Sequence, residues 1–210
     1  MLEVIDKALR DYQMKREQFF EINNQTVQEG AIVFTGDSIV EFFPLKKHLG
    51  RDYPLVNRGV AGSDTYWLLE NLRTQVWELL PSKVFILIGT NDIGLGHSQS
   101  EIIANITDII AEIRAESYMT EINILSVLPV SEEDDYIERV KVRNNQAIKA
   151  LNKTLSVISG INYIELYDLL VDEKGQLASS FTKDGLHLTD QAYAKISETI
   201  KLHKVFYGAG

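Results

Sequence analysis

Ser38, His187, Asp184, Asn91 and Gly62 are of types that could together carry out acyl transfer. That reaction needs a nucleophile, a base to deprotonate it, a group to orient the base, and donors for the tetrahedral oxyanion. Ser38 stands in "AIVFTGDSIV" (31–40), a hydroxyl placed directly after an apolar run. His187 stands in "DGLHL" (184–188), and histidine is the side chain that ordinarily changes charge near neutral pH. Asp184 precedes it by three residues, so one turn can set its carboxylate against the imidazole N–H. Gly62, in "NRGVAGSDT" (57–65), has a backbone N–H that no side chain screens. Asn91, in "GTNDIGLG" (89–96), offers a neutral NH₂ donor. The Ser38 N–H, at a helix start, is a further unpaired donor.

Each residue also has a plainer role. Ser38 taken alone reads as a helix cap, and only its combination with the other segments makes it a nucleophile. Asp37 and Asp92 are read as loop-shaping carboxylates that accept nearby N–H groups. Among the other histidines, His48 and His203 read as surface residues, while His97 is given a minor binding role at the cleft. Arg58 and Tyr66 are read as candidate substrate contacts, with packing the favoured role for Tyr66. The acidic run "EEDD" (132–135) suits a helix first turn and is not read as a metal site. The absence of cysteine excludes disulfides, thiolate metal sites and a cysteine nucleophile. No G-x-S-x-G elbow, P-loop, dinucleotide glycine fingerprint or H-E-x-x-H is found. No cofactor or metal is therefore expected.

These residues need a scaffold that gathers them. Strand-like runs occur at 31–35, 54–58, 83–88, 122–128 and 161–166, and helical patterns at 63–80, 98–117, 133–158 and 188–205. Within the second helix, isoleucines at 102, 103, 106, 109, 110 and 113 form a stripe with helical period. Alternating strands and helices imply right-handed βαβ units. The expected fold class is α/β: a three-layer α/β/α, doubly wound, five-stranded parallel sheet of flavodoxin-like type, with strand order 2-1-3-4-5. Ligands of such sheets bind beyond the carboxyl ends of the strands, and Ser38, Gly62, Asn91 and, beyond a variable stretch, Asp184 and His187 all follow strands. Residues 1–28 read as an N-terminal helical extension packed on this core.

The chain has 210 residues and no linker or repeat, which suits a single domain over 1–210. Its formal net charge of −9 argues against a nucleic-acid surface. No apolar stretch reaches the length of a membrane span and no signal peptide is visible, so a cytoplasmic protein is expected.

With "GDSIV", "NRGVAGSDT", "IGTND" and "DGLHL" in this order, the sequence resembles the SGNH (GDSL-type) hydrolases over roughly residues 31–200. Within that family it is most similar to the platelet-activating-factor acetylhydrolase-like esterases. The resemblance implies the three-layer parallel sheet and a serine esterase acting on a small acyl-ester substrate. It implies Ser38 as nucleophile, His187 and Asp184 as its triad partners, and Ser38, Gly62 and Asn91 as the oxyanion hole. Short acetyl-type acyl groups are the expected substrates; carbohydrate O-acetyl esters and thioesters stay open as alternatives on the same site. Some members form homo- or heterodimers, so a homodimer is among the expected states. A non-catalytic flavodoxin-like binding module is the rival from another class.

Overall fold

The computed structural model describes residues 1–203 and builds them around a five-stranded parallel sheet of order β2-β1-β3-β4-β5. The strands are β1 (Ile32–Gly36), β2 (Leu55–Gly59), β3 (Lys83–Leu87), β4 (Glu121–Leu125) and β5 (Asn162–Ile164). The helices are α1 (Lys7–Asn23), α2 (Ser38–Glu41), α3 (Leu45–His48), α4 (Thr65–Glu70), α5 (Leu72–Gln75), α6 (Thr90–Leu95), α7 (Gln99–Glu116), α8 (Ile137–Val140), α9 (Asn145–Leu155) and α10 (Asp190–Leu202). Strand order and fold class agree with the sequence reading.

The period-two geometry of the strands sorts their apolar residues into two cores. Val33, Val84, Ile86, Ile122 and Ile124 pack with α4, α5, α7 and α9 on one face. Ile32, Phe34, Phe85, Leu87, Leu125 and Ile164 pack with α2 and α10 on the other. There Phe34 and Phe85 stack with centroids 4.5 Å apart. Burial on both faces explains why the central strands are apolar at nearly every position. Helix α7 starts on a capping box, in which Ser98 accepts from Glu101 N–H and Glu101 accepts from Ser98 N–H. It then buries Ile102, Ile106, Ile109, Ile110 and Ile113. Each such side chain contributes about 1.5–3 kcal/mol by leaving water. No helix among the described residues is long and apolar enough to cross a membrane.

Three expected helices differ from the sequence reading. The stretch 63–80 is divided into α4, α5 and a 3₁₀ turn at Trp77–Leu79. At the first break Asn71 Nδ2 donates to the Trp67 carbonyl at 2.7 Å, so a side chain competes for a helix acceptor. The stretch 133–158 is broken at Lys141, whose φ of 58° no helix accepts, and α9 restarts where Asn144 caps Ala147 N–H. The N-terminal segment is helical only from Lys7, because Asp6 caps Leu9 N–H at 2.8 Å. Residues 1–5 lie outside any helix. Residues 204 and 205 of the expected last helix lie outside the described residues.

Helix α1 docks by an aromatic–guanidinium stack. The Phe20 ring has Arg16 at 4.6 Å and Arg58 at 4.4 Å from its centroid. Arg58 also donates to Asn24 Oδ1 at 2.7 Å, and burial pushes its pKa down to about 10. It is thus committed to holding α1, and it does not line the cavity that contains Ser38. The expectation of a substrate contact at Arg58 is corrected on that ground.

Candidate active site

Chain reversal at the end of β1 places Ser38. Gly36 has φ 150°, and a Cβ built on it would fall 2.0 Å from the Leu87 carbonyl oxygen of the neighbouring strand. Only glycine fits there. Asp37 then caps α2, its Oδ1 accepting from Ile39 N–H at 2.8 Å. The cap is therefore Asp37, and the Ser38 hydroxyl is left for another partner. Asp37 is fully buried and its Oδ2 has no partner among the described residues. Burial pushes its pKa up to about 7.

That partner of Ser38 is His187. Ser38 Oγ lies 3.0 Å from His187 Nε2, and His187 Nδ1 lies 2.7 Å from Asp184 Oδ2. A carboxylate only accepts, so Nδ1 carries the proton and Nε2 is free to accept from the serine hydroxyl. The other Asp184 oxygen accepts Leu186 N–H at 3.1 Å and His187 N–H at 2.7 Å. Burial opposes ionisation of Asp184, but the bonds from His187 and Leu186 outweigh it and hold the carboxyl below its usual value. Thr182 fastens this loop, donating to His187 O at 2.8 Å and accepting Gly185 N–H at 2.9 Å.

Gly62 and Asn91 face the same cavity as Ser38 and His187. Gly62 has φ 74°, and Leu9 of α1 stands so close that a built Cβ would meet its Cδ2 at 2.6 Å. The turn before it is tied down from two sides. Ala61 N–H donates to Glu41 Oε2 at 2.6 Å, and the Ala61 carbonyl accepts from Gln13 at 3.2 Å.

Asn91 is oriented without ambiguity. Its Nδ2 donates to Ser63 O at 2.9 Å, and its Oδ1 accepts from Arg143 Nη2 at 2.9 Å. A carbonyl cannot donate and a guanidinium cannot accept, so the amide can face only one way. One Nδ2 hydrogen remains for a ligand in the cavity. Arg143 is 3% exposed and also donates through Nε to Thr90 O at 2.9 Å and through Nη1 to Glu3 Oε2 at 3.2 Å.

Asp92 lies under this site. It is fully buried and accepts from both Thr65 N–H and Thr65 Oγ1, tying α6 to the start of α4. Burial pushes its carboxyl upward. The other histidines lie elsewhere: His48 Nε2 is 2.9 Å from Asp190, and His97 Nδ1 is 3.5 Å from Asp92. Tyr66 packs edge-on against the His97 ring, and neither lines the cavity.

The cavity has a volume of about 240 Å³. Drug-sized pockets run from about 300 to 1,000 Å³, so this one suits a small ligand. Its walls include Ile5, Leu9, Phe42, Leu95 and Leu186, with Arg139 at the rim. Arg139 Nε stands 3.4 Å from Asp184 Oδ2. Sequence reasoning missed Glu3, Leu9 and Arg143. Asn144, an N-cap residue type inside the helical pattern, was a signal for a helix start just after Arg143, while Glu3 and Leu9 carried none.

Comparison with known proteins bears on this geometry. The GDSL-like lipase/acylhydrolase family model matches residues 34–195. Platelet-activating factor acetylhydrolase IB subunit alpha2 of Rattus norvegicus is 24% identical over 177 residues, covering 82% of this chain and 75% of that protein. A solved structure from Streptococcus pneumonia, described as a platelet activating factor, is 37% identical with a TM-score of 0.88, covering 92% of each chain. A GDSL-like lipase from Bacteroides thetaiotaomicron shares the fold, with a TM-score of 0.77, 24% identity, and coverage of 88% of this chain and 95% of that one. With the match extending over residues 34–195, the chain belongs to the GDSL-like lipase/acylhydrolase family, the SGNH hydrolases, which are hydrolases acting on esters.

Proposed function

We propose that the chain is a serine esterase that cleaves short, acetyl-type acyl esters through an acyl-enzyme. The observation that carries this reading is the Ser38–His187–Asp184 chain, at 3.0 and 2.7 Å, opening into a cavity of about 240 Å³. Ser38 Oγ attacks the ester carbonyl while His187 Nε2 takes its proton. The imidazolium that forms is stabilised by the Asp184 carboxylate. Negative charge on the carbonyl oxygen is received by Asn91 Nδ2 and the N–H groups of Gly62 and Ser38. His187 then passes its proton to the leaving alcohol, and the acyl group stays on Ser38. Water, deprotonated by His187, releases the acid by the same steps in reverse.

The test is hydrolysis of nitrophenyl acetate by wild type and by Ser38→Ala. The variant should lose turnover while keeping its circular dichroism and melting temperature. Unchanged turnover in Ser38→Ala would sink the assignment.

A further inference from the structure

The first nine residues contribute to the cavity although nothing in their types suggests chemistry. Residues 1–6 precede α1, and within them Glu3 and Ile5 are half-buried while their neighbours are exposed. Backbone Glu3 N–H donates to Gly94 O at 2.7 Å. The Glu3 carboxylate holds Lys141 Nζ at 2.5 Å and Arg143 Nη1 at 3.2 Å. Burial works against its charge, but the two cations win and hold the carboxyl below its usual value. Ile5 and Leu9 then form part of the cavity wall, and Leu9 lies against Gly62 itself.

We propose that residues 3–9 form the acyl-side wall of the site, with Ile5 and Leu9 setting the length of acyl chain accepted and Glu3 pinning the segment. The inference rests on the esterase reading above. A carbon bonded to Ser38 Oγ carries three other groups. Its oxyanion faces Gly62 and Asn91, and its leaving oxygen must lie beside His187, which protonates it. The Phe42 ring, 5.6 Å from that of His187, marks the leaving-group side. Leu9 stands instead over the glycine of the oxyanion hole, where the remaining substituent, the acyl chain, has to pass.

Nitrophenyl acetate, butyrate, hexanoate and octanoate, measured with wild type, Leu9→Ala, Ile5→Ala and Leu9→Phe, test this. The hexanoate-to-acetate ratio of kcat/KM should rise at least tenfold in Leu9→Ala and in Ile5→Ala. In Leu9→Phe it should fall. Ile5 lies outside any helix, so Ile5→Ala carries the test if Leu9→Ala does not fold. A ratio within twofold of wild type in folded variants, or an altered preference for the alcohol of acetyl esters with the acyl ratio unmoved, overturns the wall assignment alone. If wild type turns over none of these esters, the esterase reading falls and takes the wall with it.

Discussion

Replacing Asp184 by Asn tests the relay at the group that sets the imidazole tautomer. Asp184 Oδ1 accepts the backbone N–H groups of Leu186 and His187, while Oδ2 faces His187 Nδ1 at 2.7 Å. An amide has one acceptor oxygen and one donor nitrogen. The two backbone groups can only donate, so they retain the amide oxygen and leave the NH₂ against Nδ1. Two donors cannot face each other, so the imidazole proton moves to Nε2. Nε2 then donates to Ser38 Oγ and cannot take its proton, and the charge that stabilises the imidazolium is gone. A wrong tautomer of this kind in a serine triad costs about ten-thousandfold in kcat, or about 5.4 kcal/mol at about 1.36 kcal/mol per tenfold. Both backbone bonds survive in Asp184→Asn, and the ion pair lost with Arg139 is a partly exposed one of small worth. Its melting temperature should stay close to that of wild type. The assay is the initial rate on nitrophenyl acetate near neutral pH. A folded variant losing less than tenfold in kcat would refute the tautomer argument and remove Asp184 from the relay.

Two further perturbations probe groups behind the site. Arg143→Lys keeps a cation but loses the fork that holds Asn91 and Thr90 O. As a positioning residue, Arg143 should then show a kcat lower by about a hundredfold with KM for acetate little moved; a rise in KM alone would mean that it contacts substrate instead. Asp37→Asn removes the buried carboxyl whose pKa burial raises from 3.8 to about 7. A raised value favours the protonated fold, so this group's contribution to stability is full below about pH 4 and is lost as pH rises through 7. The melting temperature of Asp37→Asn, measured relative to wild type, should therefore climb between those pH values and level off above. A difference that stays flat with pH would show that Asp37 does not titrate there.

How far the sequence goes depends on the distance over which each feature is specified. The five strands were readable because burial on both faces makes runs such as "VFILI" apolar throughout, a local property, whereas their order is set by long-range pairing that no single run specifies. The Ser38, Gly62, Asn91 and Asp184–His187 segments were legible because each follows a strand, and a parallel sheet puts all such ends on one rim. The breaks in the helical patterns were not legible. Asn71 turns its side chain onto a backbone carbonyl, and Lys141 takes a positive φ beside Glu3, where apolar periodicity alone predicts a continuous helix.

The segment from Glu3 to Leu9 marks the limit most clearly. Only Glu3, Ile5 and Leu9 in it are half-buried, too few to register as a pattern, and its partners Lys141 and Arg143 are 138 and 140 positions from Glu3. Which group orients Asn91 likewise depended on Arg143 being turned inward at a helix break. Residue types and their order along the chain determined the family, the fold class and the residues that could do chemistry. Tertiary packing alone decided what holds those residues in place and what walls the cavity, because those contacts join segments with no common local pattern.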